Sequence, residues 1–85
     1  METRVAVIGI IVDDDRCVKE LNDVLHEYSS YILGRMGIPY RKRNVNIISV
    51  AVEAPQDVIN TLTGKIGRIP GMSAKAVYST LSYTE

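Results

Sequence analysis

The chain has 85 residues, 46% of them hydrophobic and 24% charged, enough for one domain with one modest core and not for two. Ten Lys and Arg balance ten Asp and Glu, so no chain-wide field draws the protein to nucleic acid or to an anionic membrane. The single cysteine, Cys17, has no partner for an intrachain disulfide, a zinc ribbon or a dithiol redox motif.

Val5 to Val12 is a continuous apolar run rich in β-branched residues, which predicts a strand buried on both faces and hence central. It is far short of a bilayer span and has only Arg4 before it where a signal peptide carries its basic region, so the expected setting is cytoplasmic. The run stops at Asp13, Asp14 and Asp15. Carboxylates suit a strand-to-helix turn because they accept from the free amides at a helix N-terminus, whose dipole also favours negative charge. A helix is therefore expected from near Asp15 to near Tyr28, with Val18, Leu21, Leu25 and Tyr28 forming its apolar stripe. From Ser30 to Ile38 the pattern alternates, placing Ile32, Gly34, Met36 and Ile38 on one side and Tyr31, Leu33, Arg35 and Gly37 on the other. This reads as a strand weakened by its glycines.

Pro39 to Asn44 is a polar, basic break, and Val45 to Ala54 resumes as a second β-rich run that should pair with the preceding one as a hairpin. Pro55 stands where a helix can start, and Val58, Ile59, Leu62, Ile66 and Ile69 follow at helical spacing until Pro70 and Gly71 end it. Ala74 to Tyr83 reads as a last strand, with Val77 and Leu81 facing away from Ala76, Tyr78 and Thr80. The order β-α-β-β-α-β defines an α+β, ferredoxin-like domain spanning residues 1–85: a four-stranded antiparallel sheet with two helices on one face and the first and third strands central.

Two helices cover only one face of such a sheet, and the other face does not read as polar. Val5, Val7, Ile11, Tyr31 and Ile47 are the candidates for it. Leaving several hundred Å² of apolar surface in water forgoes several kcal/mol, at about 25 cal/mol per Å². The expectation is a homo-oligomer, at least a dimer, with these residues in the contact. Shielding of the face by Lys and Arg stems is the competing explanation.

The inventory for catalysis is thin. His26 is the only imidazole and falls at a helix end, where a solvated or dipole-stabilising role is commonplace. Cys17 falls in the first turn of the first helix, a position that lowers a thiol pKa, yet a small half-buried residue explains it as well. Gly64, Gly67 and Gly71 lie in and after a helix instead of forming a phosphate loop, and the aspartate run lacks the spacing and terminal Glu of a calcium loop. No metal, cofactor or enzymatic activity is expected. The triplet Arg41, Lys42 and Arg43 is the only basic cluster, placed on a hairpin tip. An RNA-recognition motif is excluded because the third strand has no aromatic and the chain no Phe or Trp; a paired-cysteine metallochaperone loop is missing too.

Within this order, the stretches Val7-Ile-Gly-Ile-Ile-Val-Asp-Asp-Asp-Arg16, Val18-Lys-Glu-Leu-Asn-Asp-Val-Leu25, Ile32-Leu-Gly-Arg-Met-Gly-Ile38, Asn46-Ile-Ile-Ser-Val-Ala-Val52 and Ile66-Gly-Arg-Ile-Pro-Gly71 resemble the small bacterial family of iron-only hydrogenase system regulators. That family is similar to ACT-like domains and to the C-terminal regulatory domain of the nickel-responsive repressor. The resemblance implies a regulatory or ligand-sensing domain, with a small effector between subunits and the turn Asp13, Asp14, Asp15 and Arg16 as the candidate ligand-binding segment. Two departures matter: no His-x-His strand is present to carry a nickel site, and the turn lacks the glycine with which amino-acid-binding ACT domains approach their ligand. No DNA reader precedes the first strand, so no direct nucleic-acid contact is expected and regulation would run through a protein partner. A ligand-free interaction or scaffold protein is the alternative.

Overall fold

The computed structural model describes residues 2–84. Its elements are β1 (Glu2–Val12), α1 (Val18–Glu27), β2 (Ile32–Tyr40), β3 (Val45–Ala54), α2 (Gln56–Gly67) and β4 (Met72–Thr84), with short 3₁₀ turns at Asp15–Cys17, Ser29–Tyr31 and Arg41–Arg43. The strands form one sheet in the order β2-β3-β1-β4, every neighbouring pair antiparallel. This is the ferredoxin-like α+β arrangement, with β1 and β3 central as their two-sided apolar patterns require.

The period of two along the central strands divides their residues between a core and an open face. Ala6, Ile8, Ile10 and Val12 of β1 and Ile48, Val50, Val52 and Ala54 of β3 are buried beneath the helices. Leu21 and Leu25 of α1 and Ile59, Leu62 and Ile66 of α2 complete that core, each set at the three- and four-residue spacing of a single helical stripe.

Several local features depart from the sequence expectation. α1 begins three residues after Asp15 because Asp14, not Asp15, is the cap: its carboxylate accepts from the Arg16 N–H at 3.0 Å and draws Asp15–Cys17 into a 3₁₀ turn first. The strand expected from Ser30 begins instead at Ile32, since Ser29–Tyr31 make a 3₁₀ turn closed by the Tyr31 N–H on the Tyr28 carbonyl at 3.0 Å. Tyr31 therefore leaves the open sheet face to which the sequence assigned it; it packs half-buried against the core, 6.4 Å from the Tyr28 ring. β2 also slips register between Ile32 and Gly34, so Ile32 faces the helices opposite Val52 while Gly34, Met36 and Ile38 face the open side opposite Ala51, Ser49 and Ile47. Pro39 does not break β2, because an edge strand tolerates the missing donor and the strand continues to Tyr40.

α2 stops at Gly67 rather than Ile69, though Ile69 remains buried, and β4 runs from Met72 to Thr84, longer at both ends than expected. The turn before β4 leans on the turn after β1. The Asp13 N–H donates to the Gly71 carbonyl at 2.7 Å, and Gly71 has φ +80 with Asp14 so close that an added Cβ would meet the Asp14 Cβ at 2.5 Å. Both the backbone conformation and the space demand glycine.

Candidate functional site

The open face of the sheet carries most of the large apolar side chains left exposed among the described residues. Strand alternation places Val5, Val7, Gly9 and Ile11 of β1 on it, beside Ile47, Ser49 and Ala51 of β3, Met36 and Ile38 of β2, and Val77 of β4. Val7 (42%), Ile11 (38%) and Ile47 (41%) sit on the two central strands and are still exposed, a position that in a covered sheet would be dry. Met36, Ile38 and Val77 extend the exposure to both edges. The middle of the face is low: Gly9 lies between Ser49 and Lys75, with the larger side chains on either side along the strands. Four of the five residues assigned to this face from sequence, Val5, Val7, Ile11 and Ile47, are on it, and Met36, Ile38 and Val77 add to it. Their signal was present in the alternation of β2 and β4 but was ambiguous until the β2 slip was known.

At one end of the sheet the turn Asp13–Arg16 links β1 to α1. Asp14 is engaged on all sides: the Arg16 Nε donates to Oδ1 at 3.0 Å and to Oδ2 at 2.9 Å, beside the capping bond. The Arg16 side chain, then the Arg16 backbone N–H, hold the Asp14 carboxyl down at about 2, from an ordinary 3.8. Asp13 and Asp15 leave their carboxylates exposed. Cys17 follows, half-buried, and its thiol is raised above the ordinary value first by burial and then by the Glu20 carboxylate, opposite to the lowering expected of a helix N-terminal thiol.

His26 is exposed in the last turn of α1, far along the helix from Cys17. Among the described residues, no three His, Cys, Asp or Glu side chains are grouped as a metal site would need. Arg41, Lys42 and Arg43 ring the hairpin tip in a 3₁₀ turn that Asn44 closes with φ 56, and all three are exposed. Two long-range side-chain bridges, one between sheet and helix and one between the helices, were not legible in sequence. Arg4 of β1 lies over the Tyr78 ring of β4 at 4.8 Å and donates to Gln56 Oε1 of α2 at 3.2 Å. Lys65 of α2 reaches Glu27 of α1 at 3.3 Å and lies 5.1 Å from the Tyr28 ring centroid.

Shallow clefts flank the helices. Two of about 360 and 320 Å³ adjoin along the α1–β2 side, with Arg35 common to both, and a third of about 380 Å³ runs between α2 and β4. Sequence reasoning did not single out Arg35, since its face depended on the slip in β2.

Fold and surface together define a ferredoxin-like α+β domain whose described residues assemble no metal-ligating cluster. The chain belongs to the TM1266-like family, provisionally described as iron-only hydrogenase system regulators, which it matches over residues 4–76. Among solved structures it is similar to the uncharacterized protein TM1266 from Thermotoga maritima, at 35% identity and a TM-score of 0.84, over 89% of this chain and 96% of that one. It shares its fold with part of a formyltetrahydrofolate deformylase from Pseudomonas putida, at 13% identity and a TM-score of 0.61, over 86% of this chain and 28% of that one. A protein of unknown function from Galdieria sulphuraria is similar at 13% identity and a TM-score of 0.62, over 93% of this chain and 46% of that one. No curated protein matches the sequence. Among the described residues no helix is long and apolar enough to cross a membrane.

Proposed function

We propose that this protein is a non-catalytic, cytoplasmic regulatory domain of the iron-only hydrogenase system that works as a homo-oligomer, at least a dimer, and senses a small effector. Membership of the TM1266-like family supports the regulatory role. The observation that carries the mechanism is the open sheet face, where Val7, Ile11 and Ile47 stand exposed at the centre of the sheet. Pairing two such faces removes apolar surface from water without any new secondary structure, and a two-fold pair is the simplest closed way to do it. The low strip at Gly9 and Ser49 leaves room between paired faces, and the Asp13–Arg16 turn lies at the end of the strand that would form the contact. An effector held at that boundary would bind better to one arrangement of subunits than to another and so shift their equilibrium. The shifted form is read by a protein partner that itself contacts the regulated target.

The test is a chromosomal deletion of this chain in its host, with hydrogenase transcripts and hydrogenase activity followed together. The reading expects both to change together, and restoration by the wild-type chain but not by a chain carrying Ile47→Lys. Transcripts and activity indistinguishable from the parent under every growth condition would contradict it.

A further inference from the structure

The slip in β2 turns Arg35 toward the helix side of the sheet, opposite the fully buried Val50. A residue in that position normally lies under a helix. Here α1 stops short of the edge strand, and Arg35, Gly37 and Pro39, successive residues on the helix side of β2, all stay exposed. The gap is the cleft of about 320 Å³ whose floor is Gly37 and Ile48 and whose walls include Val12, Val18 and Asn46. Gly37 keeps the floor low: a Cβ there would stand in ordinary van der Waals contact with the Ile48 Cγ1 at 3.9 Å, so a larger side chain would fit the backbone and occupy the cleft.

The charge in this cleft is unspent. Among the described residues Arg35 makes one side-chain hydrogen bond, from Nη1 to the neutral Asn22 Oδ1 of α1 at 3.3 Å. No carboxylate lines the cleft, and of those on α1, Asp23 pairs with Lys19 at 2.9 Å and Glu27 with Lys65 at 3.3 Å. Asn22 therefore steadies the guanidinium on one side without neutralising it, and leaves its remaining N–H donors free in a fixed fork that matches a carboxylate. An apolar floor, a single cation and a volume at the small end of ligand sites fit a compact monoanion with a hydrocarbon body better than a phosphate, which would call for several donors.

We propose that the cleft between α1 and β2 binds a small aliphatic carboxylate, its carboxylate held by Arg35 and its branched or short hydrocarbon end lying on Gly37 and Ile48. This deepens the effector-sensing part of the function proposed above and rests on it, but it places the ligand within one chain, on the helix side and away from the open face, in a cleft whose Val12 and Val18 flank the Asp13–Arg16 turn. It leaves the site accessible when two open faces are paired.

The experiment is an amide and arginine side-chain NMR titration of the whole chain with isovalerate and with its neutral isostere isovaleramide, carried to about 20 mM, above the millimolar affinity expected of so small a ligand. Isovalerate should shift the Val18, Gly37 and Ile48 amides and the Arg35 Nε–H, and isovaleramide should not. Arg35→Gln should weaken isovalerate about tenfold or more, Arg35→Lys less, and Gly37→Val should close the floor to isovalerate while the spectrum stays folded. Equal shifts from the two compounds, or isovalerate binding untouched by Arg35→Gln, would overturn the assignment. Shifts confined to Asp13–Arg16 would overturn the cleft while leaving effector sensing itself intact. No shift from isovalerate anywhere would overturn the cleft as a carboxylate site, and effector sensing would then stand or fall on the deletion strain.

Discussion

Replacing Ile47 by Lys tests the open face directly. Ile47 lies on that face on the central strand β3, between Ile11 of β1 and Ile38 of β2, with 41% of its surface still exposed. Covering that remainder in a dimer is worth about 1 kcal/mol per copy, taking about 2–3 kcal/mol for burying a whole isoleucine side chain. In a two-fold contact the residue counts twice, giving about 2 kcal/mol from hydrophobic burial alone. A lysine in its place must also lose water from its ammonium with no carboxylate arranged to receive it, at about 3 kcal/mol or more if the group stays buried. Some of that penalty is relieved where the long side chain reaches the rim. The combined effect, about 3–5 kcal/mol, weakens association by about two to three and a half orders of magnitude, at 1.4 kcal/mol per factor of ten. The folded chain should tolerate the change, because the site faces solvent within one subunit. Sedimentation velocity across the micromolar range reads the outcome: wild type at least a dimer, Ile47→Lys a monomer with unchanged circular dichroism. Lys65→Glu, on α2 and away from the open face, removes the exposed Glu27 contact and should leave the sedimentation unchanged. An Ile47→Lys chain that associates as tightly as wild type would refute the assignment of the contact to this face.

Other consequences are local. The Asp14 carboxyl is depressed in the folded chain, so its contribution is fully present above its ordinary pKa of 3.8 and is lost as the pH falls toward about 2; Asp14→Asn should flatten that acid limb of an unfolding curve followed by circular dichroism. Gly71→Ala should destabilise the fold by about 2 kcal/mol or more in urea denaturation, since alanine meets both the left-handed backbone and the Asp14 side chain; a wild-type midpoint would show that the two turns are free to separate. Elemental analysis should find no stoichiometric nickel, zinc or iron, and one metal per chain lost on His26→Ala would contradict this.

Much of the architecture was legible because the central strands announce themselves. Val5–Val12 and Val45–Ala54 are apolar in both alternating sets, which only a strand with helices on one side and a second apolar face can use. The errors cluster where a local pattern fits two conformations. Ser30 and Tyr31 continue the polar–apolar alternation of the strand, yet their backbone groups are satisfied by the 3₁₀ turn after Tyr28. Leu33 is the extra residue of the β2 slip, and one extra residue reverses every side chain relative to its predecessor, so Ile32 and Gly34 part faces although the sequence grouped them. Arg35 was invisible as a site for the same reason. Gly71 was legible as a helix end but not as the seat for Asp14, because that requirement comes from a residue more than fifty positions away. Arg4 with Tyr78 is likewise a long-range pair with no local signature.

Native mass spectrometry of the protein purified from its own host addresses the central claim, since one spectrum reports both the number of subunits and anything of low mass that travels with them. A dimer or larger assembly at micromolar concentration, carrying a small organic acid that is released on denaturation, is the predicted result. A bare monomer throughout that range would contradict both the pairing of open sheet faces and the sensing of an effector by the paired form.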